Sequence, residues 1–159
     1  MTSAATPIRV QRLNHVVLQV SDVERSIKFY QDVLGLELHR RRPNGNAFLR
    51  IPGSSNDHDL ALFPRDGISR PKDDSARLIH MAWQVDDPRE LLHARDRLEA
   101  AGALVGSQNH GMSLSLYAQD PDGIEFEVFW APPGAAVGEN VDLDLEGELA
   151  KYGVTTSRP

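Results

Sequence analysis

A carboxylate stands where the sequence has little reason to put one. Glu127 lies in Ile124-Glu125-Phe126-Glu127-Val128-Phe129-Trp130, an otherwise apolar stretch whose alternation reads as a β-strand. Burying that charge is costly unless something positive faces it. Two histidines supply candidates. Leu78-Ile79-His80-Met81-Ala82-Trp83-Gln84-Val85-Asp86-Asp87 repeats the pattern of Leu13-Asn14-His15-Val16-Val17-Leu18-Gln19-Val20-Ser21-Asp22 at a constant offset of 65 residues (80 − 15). A lone histidine in an apolar strand is usually a satisfied core residue. Two at equivalent places of a repeat, with a glutamate at the matching strand end, are a different pattern. If the copies pair with approximate two-fold symmetry, His15 and His80 face one cavity and Glu127 points into it. Two imidazoles and one carboxylate make the facial triad that holds a divalent metal and leaves coordination positions open. Glu127-Val128-Phe129 aligns on Ala61-Leu62-Phe63, so the place of a fourth protein ligand is held by Ala61, which cannot ligate. Glu125 shares the face of Glu127 by alternation, and the alignment of the two copies selects Glu127.

The elements that must position these residues follow the same repeat. The first copy has an apolar strand within Arg9 to Val20 and a helix from Val23 to Leu34, capped by Ser21-Asp22 and stopped by Gly35. Strands are expected at Leu36 to His39, Ala47 to Ile51 and Asp57 to Phe63, the first two joined by a turn at Pro43-Asn44-Gly45-Asn46. The second copy has a helix from Pro88 to Ala101, stopped by Gly102. Its strands are near Ala103 to Val105, Met112 to Ala118 and Ile124 to Trp130, the last two joined by the turn chemistry of Asp120-Pro121-Asp122-Gly123. Each copy reads as β-α-β-β-β. The organisation is a flexible leader (1–8), a first module (9–65), a polar linker (66–76), a second module (77–131) and a C-terminal tail (132–159), with a short helix expected around Leu143 to Tyr152. The fold class is α+β, two tandem βαβββ modules forming an open barrel around the metal site. His39, His93 and the Arg40-Arg41-Arg42 run read as solvated, the arginines as an exposed strand edge rather than an anion site.

Composition sets the bounds. The 159 residues, 40% hydrophobic and 25% charged, suit an ordinary globular chain able to bury a sizeable core. A formal net charge of −6 gives no electrostatic footprint for nucleic acid or an anionic membrane. The chain has no cysteine, which excludes disulfides, thiolate metal sites and cysteine nucleophiles together. Met1 to Val10 lacks the apolar run of a signal peptide, so a cytoplasmic protein is expected.

Across residues 10 to 131 the sequence resembles the vicinal oxygen chelate superfamily, which includes glyoxalase I, bleomycin and fosfomycin resistance proteins and extradiol ring-cleaving dioxygenases. The features that carry the resemblance are a histidine on the first strand of each module and Asp-Pro-Asp-Gly followed by glutamate. His110, Leu116-Tyr117, Asp120-Pro121, Gly123 and Glu127 are similar to the extradiol dioxygenase signature, with Gln108 a departure from it. Asn56-Asp57-His58-Asp59-Leu60-Ala61-Leu62 resembles the segment that carries a further active-site histidine in those enzymes. The resemblance implies His15, His80 and Glu127 as metal ligands, and His58, His110 and Tyr117 as acid-base and hydrogen-bonding groups. It implies Fe(II), alternatively Mn(II), a small catecholic substrate and O2, and by analogy a homodimer. Glyoxalase I typically uses four protein ligands, and Ala61 stands at the extra one. Most extradiol enzymes of this superfamily have four modules where this chain has two. The rivals are a metal-dependent glyoxalase, isomerase, epimerase or lyase of the same superfamily, and a metal-free drug-sequestering protein like the bleomycin resistance proteins, which has no need of His15, His80 and Glu127 together.

Overall fold

The computed structural model describes residues 9–67 and 78–155, so the expected leader and most of the expected linker lie outside the described residues. The first half runs β1 (Val16–Val20), α1 (Val23–Leu34), β2 (Glu37–Arg41), β3 (Ala47–Arg50) and β4 (Leu60–Pro64). The second runs β5 (Met81–Val85), α2 (Pro88–Ala100), β6 (Leu104–Asn109), β7 (Leu114–Gln119) and β8 (Glu125–Trp130), followed by β9 (Val141–Asp142) and α3 (Leu145–Ala150). The expected β-α-β-β-β repeat is present in both halves. The sheets are mixed, with strand orders β1-β4-β3-β2 and β5-β8-β7-β6-β9, and β1 and β5 are each an edge. The two sheets do not close on each other, which gives the open form of the barrel.

Local chemistry explains the helices. Asp22 caps α1 by accepting the Arg25 N–H at 3.0 Å, and Asp87 caps α2 by accepting the Arg89 N–H at 2.8 Å, with Pro88 in the first turn. Both helices run into left-handed glycines, Gly35 and Gly102. One face of each sheet packs on its helix. Val20, Ile27, Tyr30, Leu49 and Leu62 from the first half join Leu91, Leu98, Leu116 and Phe126 from the second in a single core.

The strands differ from expectation mainly at their ends. β1 begins only at Val16, because Arg12 and Asn14 are held by side-chain bonds to Asn56 rather than by a sheet partner. β4 begins at Leu60, after His58, which frees that histidine from strand alternation. β6 extends to Asn109 because β9 pairs with it, Gln108 opposite Asp142 and Asn109 opposite Val141.

The Asp120-Pro121-Asp122-Gly123 turn does more than reverse the chain. Asp120 is 5% exposed and accepts the Asp122 and Ile124 N–H groups at 2.9 and 2.8 Å, and the buried Tyr30 hydroxyl of α1 donates to its other oxygen at 3.0 Å. Burial holds the Asp120 carboxyl above the ordinary carboxylate range and pushes the Tyr30 hydroxyl well up. Asp122 crosses to the start of α1, accepting from Ser21 N at 3.0 Å and from the Arg25 guanidinium at 2.9 Å. Two aspartates of one turn thus join the two halves.

The tail is part of the fold. Leu145 and Leu149 of α3 are buried in the common core, and Tyr152 packs edge-on against Trp130. Between β8 and β9 the tail passes the His110 loop, where Gly138 N donates to His110 O at 3.1 Å. A Cβ on Gly111 would lie 2.5 Å from Gly138 N, so only glycine fits there, and its φ of +76° asks for glycine as well. Among the described residues no helix is long and apolar enough to cross a membrane.

Candidate metal centre

The register equates the two halves at the level of single residues. Val17 pairs with Ala61 between β1 and β4, and Ala82 pairs with Glu127 between β5 and β8. Because Val17 is two residues after His15 and Ala82 two after His80, Ala61 holds the place in the first half that Glu127 holds in the second. Each occupies the sheet face turned away from the common core. On that face Phe48 and Ala61 are buried, yet outside the core cluster.

In the second half the expected residues converge. His80 Nε2 lies 3.2 Å from Glu127 Oε2, and Glu127 is 9% exposed. Tyr117 stands opposite Glu127 on β7, its ring 5.6 Å from that of His80. Its hydroxyl is 2.8 Å from His110 Nε2, and His110 Nδ1 is 2.7 Å from Asn140 Oδ1 of the tail. Asn140 offers an acceptor, so His110 carries its proton on Nδ1 and receives the Tyr117 hydroxyl proton at Nε2. Burial, and then the facing Glu127 carboxylate, raise the Tyr117 hydroxyl above its ordinary value. It therefore stays a phenol that can donate.

In the first half a second group forms. The His15 and His58 rings are 4.4 Å apart, and the His58 ring meets Phe48 at 5.0 Å. His15 Nδ1 is 3.0 Å from Asn14 Oδ1, and His58 Nδ1 is 2.9 Å from Asp57 Oδ2. Both rings are thus held at Nδ1, which leaves Nε2 as the nitrogen available for other work. The loop beneath them is fixed by Asn56, whose amide donates to Asn14 O at 3.0 Å and to the buried Asp59 at 2.6 Å. The His58 hydrogen bond, then that of Arg40, lower the Asp57 carboxyl below its ordinary value.

The donor chemistry of the second half fits a divalent cation. Two ligands about 2.1 Å from one ion and roughly at right angles stand about 3 Å apart, which is the His80–Glu127 spacing. His15 belongs to the other group, and among the described residues no cluster of three His, Asp or Glu side chains forms within one chain. The six residues singled out from the sequence therefore fall into two separate groups, His15 with His58 and His80 with Glu127, Tyr117 and His110. His93 is apart from both, beside Glu90, while His39 stands on the far side of the Asp57 that holds His58, its Nε2 4.0 Å from Asp57 Oδ1. Asn140 and Asn14 have no distinguishing spacing. Asn56 lies within the segment that carries His58, which is its only sequence signal. A groove of about 690 Å³ between α1, α2 and β5 contains none of the six.

A family profile described as the Glyoxalase/Bleomycin resistance protein/Dioxygenase superfamily matches residues 12–128. A lactoylglutathione lyase from Neisseria meningitidis is 32% identical over 124 residues, covering 73% of this chain and 88% of that protein. Metapyrocatechase 2 from Cupriavidus necator is 33% identical over 151 residues, covering 90% of this chain and 44% of that protein. A manganese-dependent 2,3-dihydroxybiphenyl 1,2-dioxygenase from Geobacillus genomosp. 3 is 26% identical over 155 residues, covering 94% and 46%. The chain thus spans less than half the length of these two dioxygenases. Among solved structures, a glyoxylase/bleomycin resistance protein/dioxygenase domain from Frankia sp. EAN1pec superposes with a TM-score of 0.64 at 24% identity, covering 79% of this chain and 96% of that one.

Proposed function

Since the chain belongs to the Glyoxalase/Bleomycin resistance protein/Dioxygenase superfamily, we propose that it is an extradiol, meta-cleaving dioxygenase of a catecholic substrate. The observation that carries the reading is the hydrogen bond between Tyr117 and His110 beside the His80–Glu127 pair. It is supported by Ala61 at the place of a fourth donor, and by dioxygenase relatives that align over 90% or more of this chain where the lyase aligns over 73%.

His15, His80 and Glu127 are the proposed metal ligands. Fe(II) or Mn(II) bound by them would supply a Lewis-acidic centre with open positions for adjacent catechol oxygens and O2. The remaining chemistry belongs to the chain. His58, with Nδ1 held by Asp57, is placed to take a catechol proton at Nε2 and return it. Tyr117 and His110 form a second proton path, with the Tyr117 oxygen facing the Glu127 side and its proton held toward His110 Nε2.

The two groups become one site if a second copy of the chain sets its His80–Glu127 face against the His15–His58 face of the first. The edges β1 and β5 and the exposed Leu13 and Val17 beside His15 are the surfaces for this contact. A two-fold pair would contain two such sites.

Anaerobic purification, loading with Fe(II) or Mn(II), and exposure to air with 2,3-dihydroxybiphenyl and a panel of catechols should give a yellow ring-opened product. Absence of colour across the panel, or full activity in His15→Ala, refutes the reading. Turnover of the methylglyoxal–glutathione adduct instead would assign the chain to the lyases. Mixing inactive His15→Ala and Glu127→Gln chains should restore about a quarter of wild-type activity, since half of the random pairs carry one intact site of two. No recovery on mixing would place the complete site within a single chain.

A further inference from the structure

β2 carries one residue more than β3 can pair. The register sets Glu37 opposite Arg50 and Leu38 opposite Leu49, then slips, so that Arg40 stands opposite Phe48 and Arg41 opposite Ala47. His39 is the extra residue of a bulge, a device that re-aims the side chain next to it. Regular pairing would set His39 opposite Phe48 and turn Arg40 with Ala47 toward the common core. The bulge instead brings Arg40 to the face of His15 and His58, and leaves Arg41 on the helix side, where it pairs with Glu24 of α1.

From that place Arg40 makes two contacts at once. Its guanidinium lies 4.7 Å from the centre of the Phe48 ring. It also grips Asp57 with both terminal nitrogens, Nη2 at 2.7 Å from Oδ2 and Nη1 at 3.2 Å from Oδ1. Both contacts lead on to His58. Asp57 Oδ2 is 2.9 Å from His58 Nδ1, and the Phe48 ring meets the His58 ring edge-on at 5.0 Å. The circuit Arg40–Asp57–His58–Phe48 is closed. The Asp57 side chain is exposed, where a single-point ion pair would hold it weakly, and the two-nitrogen grip with the Phe48 stack gives the pair one geometry. The other basic group at Asp57 is His39, whose Nε2 is 4.0 Å from Oδ1, too long for a hydrogen bond.

We infer that Arg40 is the positioning residue of His58: it fixes the Asp57 carboxylate that keeps the His58 proton on Nδ1, and so leaves the Nε2 lone pair free as a base. A carboxylate only accepts, so the ring nitrogen facing it carries the proton. During proton transfer the diol O–H bond breaks as the His58 Nε2–H bond forms, and the positive charge of the ring is met by Asp57. The proton transfer rests on the dioxygenase reading, and the tautomer does not. Arg42 lies 5.4 Å from the Phe48 centre and so shares the stacking alone, since Arg40 is the arginine paired with Asp57 among the described residues. A lysine at position 40 would keep the charge but lacks the planar fork that spans two oxygens.

The tautomer is read without turnover. Long-range proton–nitrogen correlation spectra of the nitrogen-15-labelled full chain, before metal is added and at mildly alkaline pH where imidazoles are neutral, show which ring nitrogen carries the proton. The His58 signal is assigned by its absence in His58→Gln. Wild type should show the proton on Nδ1. Arg40→Met should lose that preference, and Arg40→Lys should not restore it, while Arg41→Met and Arg42→Met keep the wild-type signal. A wild-type tautomer in Arg40→Met overturns the inference. An equal loss in Arg42→Met overturns it too, because the effect would then be one of net charge. With metal, 2,3-dihydroxybiphenyl and O2, Arg40→Met and Asp57→Asn should each lower kcat about tenfold, part of the roughly 10²–10⁴-fold that a positioned base supplies, with KM changed by less than about twofold. The double variant should lose no more than the worse single one. A raised KM at unchanged kcat would make Arg40 a substrate contact and overturns the inference even if diols are cleaved. If Arg40→Met shifts the tautomer and wild type cleaves no diol, the positioning stands and the dioxygenase reading falls.

Discussion

Tyr30→Phe removes one oxygen atom from the joint between the two halves and tests whether that joint is electrostatic. The Tyr30 side chain is fully buried, and the phenylalanine ring keeps its contacts with Phe29 and Phe126, so no cavity larger than the hydroxyl opens. What is lost is the 3.0 Å donation to Asp120 Oδ2, while Oδ1 keeps its two backbone N–H donors. A buried hydrogen bond to a charged group contributes about 1.5–3 kcal/mol, so the variant should be less stable by about 2 kcal/mol at neutral pH. For a chain of this size that lowers Tm by roughly 4–8 °C. The pH dependence follows from the direction of the Asp120 shift. Burial raises this carboxyl in the folded state, so its protonation favours folding, and that contribution is present below its unfolded pKa and lost as pH rises through the folded one. The Tyr30 hydrogen bond opposes this by favouring the charged form. Its removal therefore costs most above the folded pKa of Asp120 and less in mild acid, where the protonated acid can do without the donor. Urea unfolding of wild type, Tyr30→Phe, Asp120→Asn and the double variant at neutral and mildly acidic pH measures both effects. A deficit that is the same at both pH values, or a double-mutant coupling near zero, would refute the argument.

Three further outcomes are expected. Gly111→Ala forces a Cβ to 2.5 Å from Gly138 N at a positive φ, and should lose about 2 kcal/mol or more in urea unfolding. Asn140→Leu deprives His110 Nδ1 of its partner, and should lower kcat about tenfold with an altered pH–rate profile, while far-ultraviolet circular dichroism stays unchanged. Glu127→Gln should weaken divalent-metal retention at least about tenfold by elemental analysis. It should also lower the Tyr117 pKa part of the way toward its ordinary value in a tyrosinate titration, since burial, the larger cause of the rise, remains.

Much of this architecture is written locally. The 65-residue offset between His15 and His80 survives as equivalent strand pairings, and the Ala61–Glu127 alignment reappears as register opposite Val17 and Ala82. The caps at Asp22 and Asp87 and the terminal glycines are short-range chemistry and could be read directly. The joint at Asp120 and Asp122 could not, because its partners Tyr30 and Ser21 lie 90 and 101 residues away and leave no periodic trace. Asn140 is equally silent, a polar residue in a polar tail until β9 and Gly138 bring it to His110. Periodicity also does not state how two similar modules face each other. It marked His15 and His80 as equivalents without showing that the chain would keep them in separate groups. The Arg40-Arg41-Arg42 run was legible as an exposed edge, but the stacking of Arg40 and Arg42 on Phe48 was not, because stacking depends on which way a bulged strand turns.

Ala61 also bears on how the proposed three-donor set could change. It is fully buried, and the residue opposite it on β3 is Phe48, whose ring fills the face where a carboxylate would have to reach. A single Ala61→Glu exchange would drive a charge into that aromatic layer and disturb His58 and the arginines with it. An aromatic residue opposite is not itself the obstacle, since Tyr117 stands opposite Glu127 on β7; what differs is that the Phe48 ring already carries His58 and two guanidiniums. A fourth donor in the proposed site would therefore have to displace part of that stacked layer before it could reach a metal.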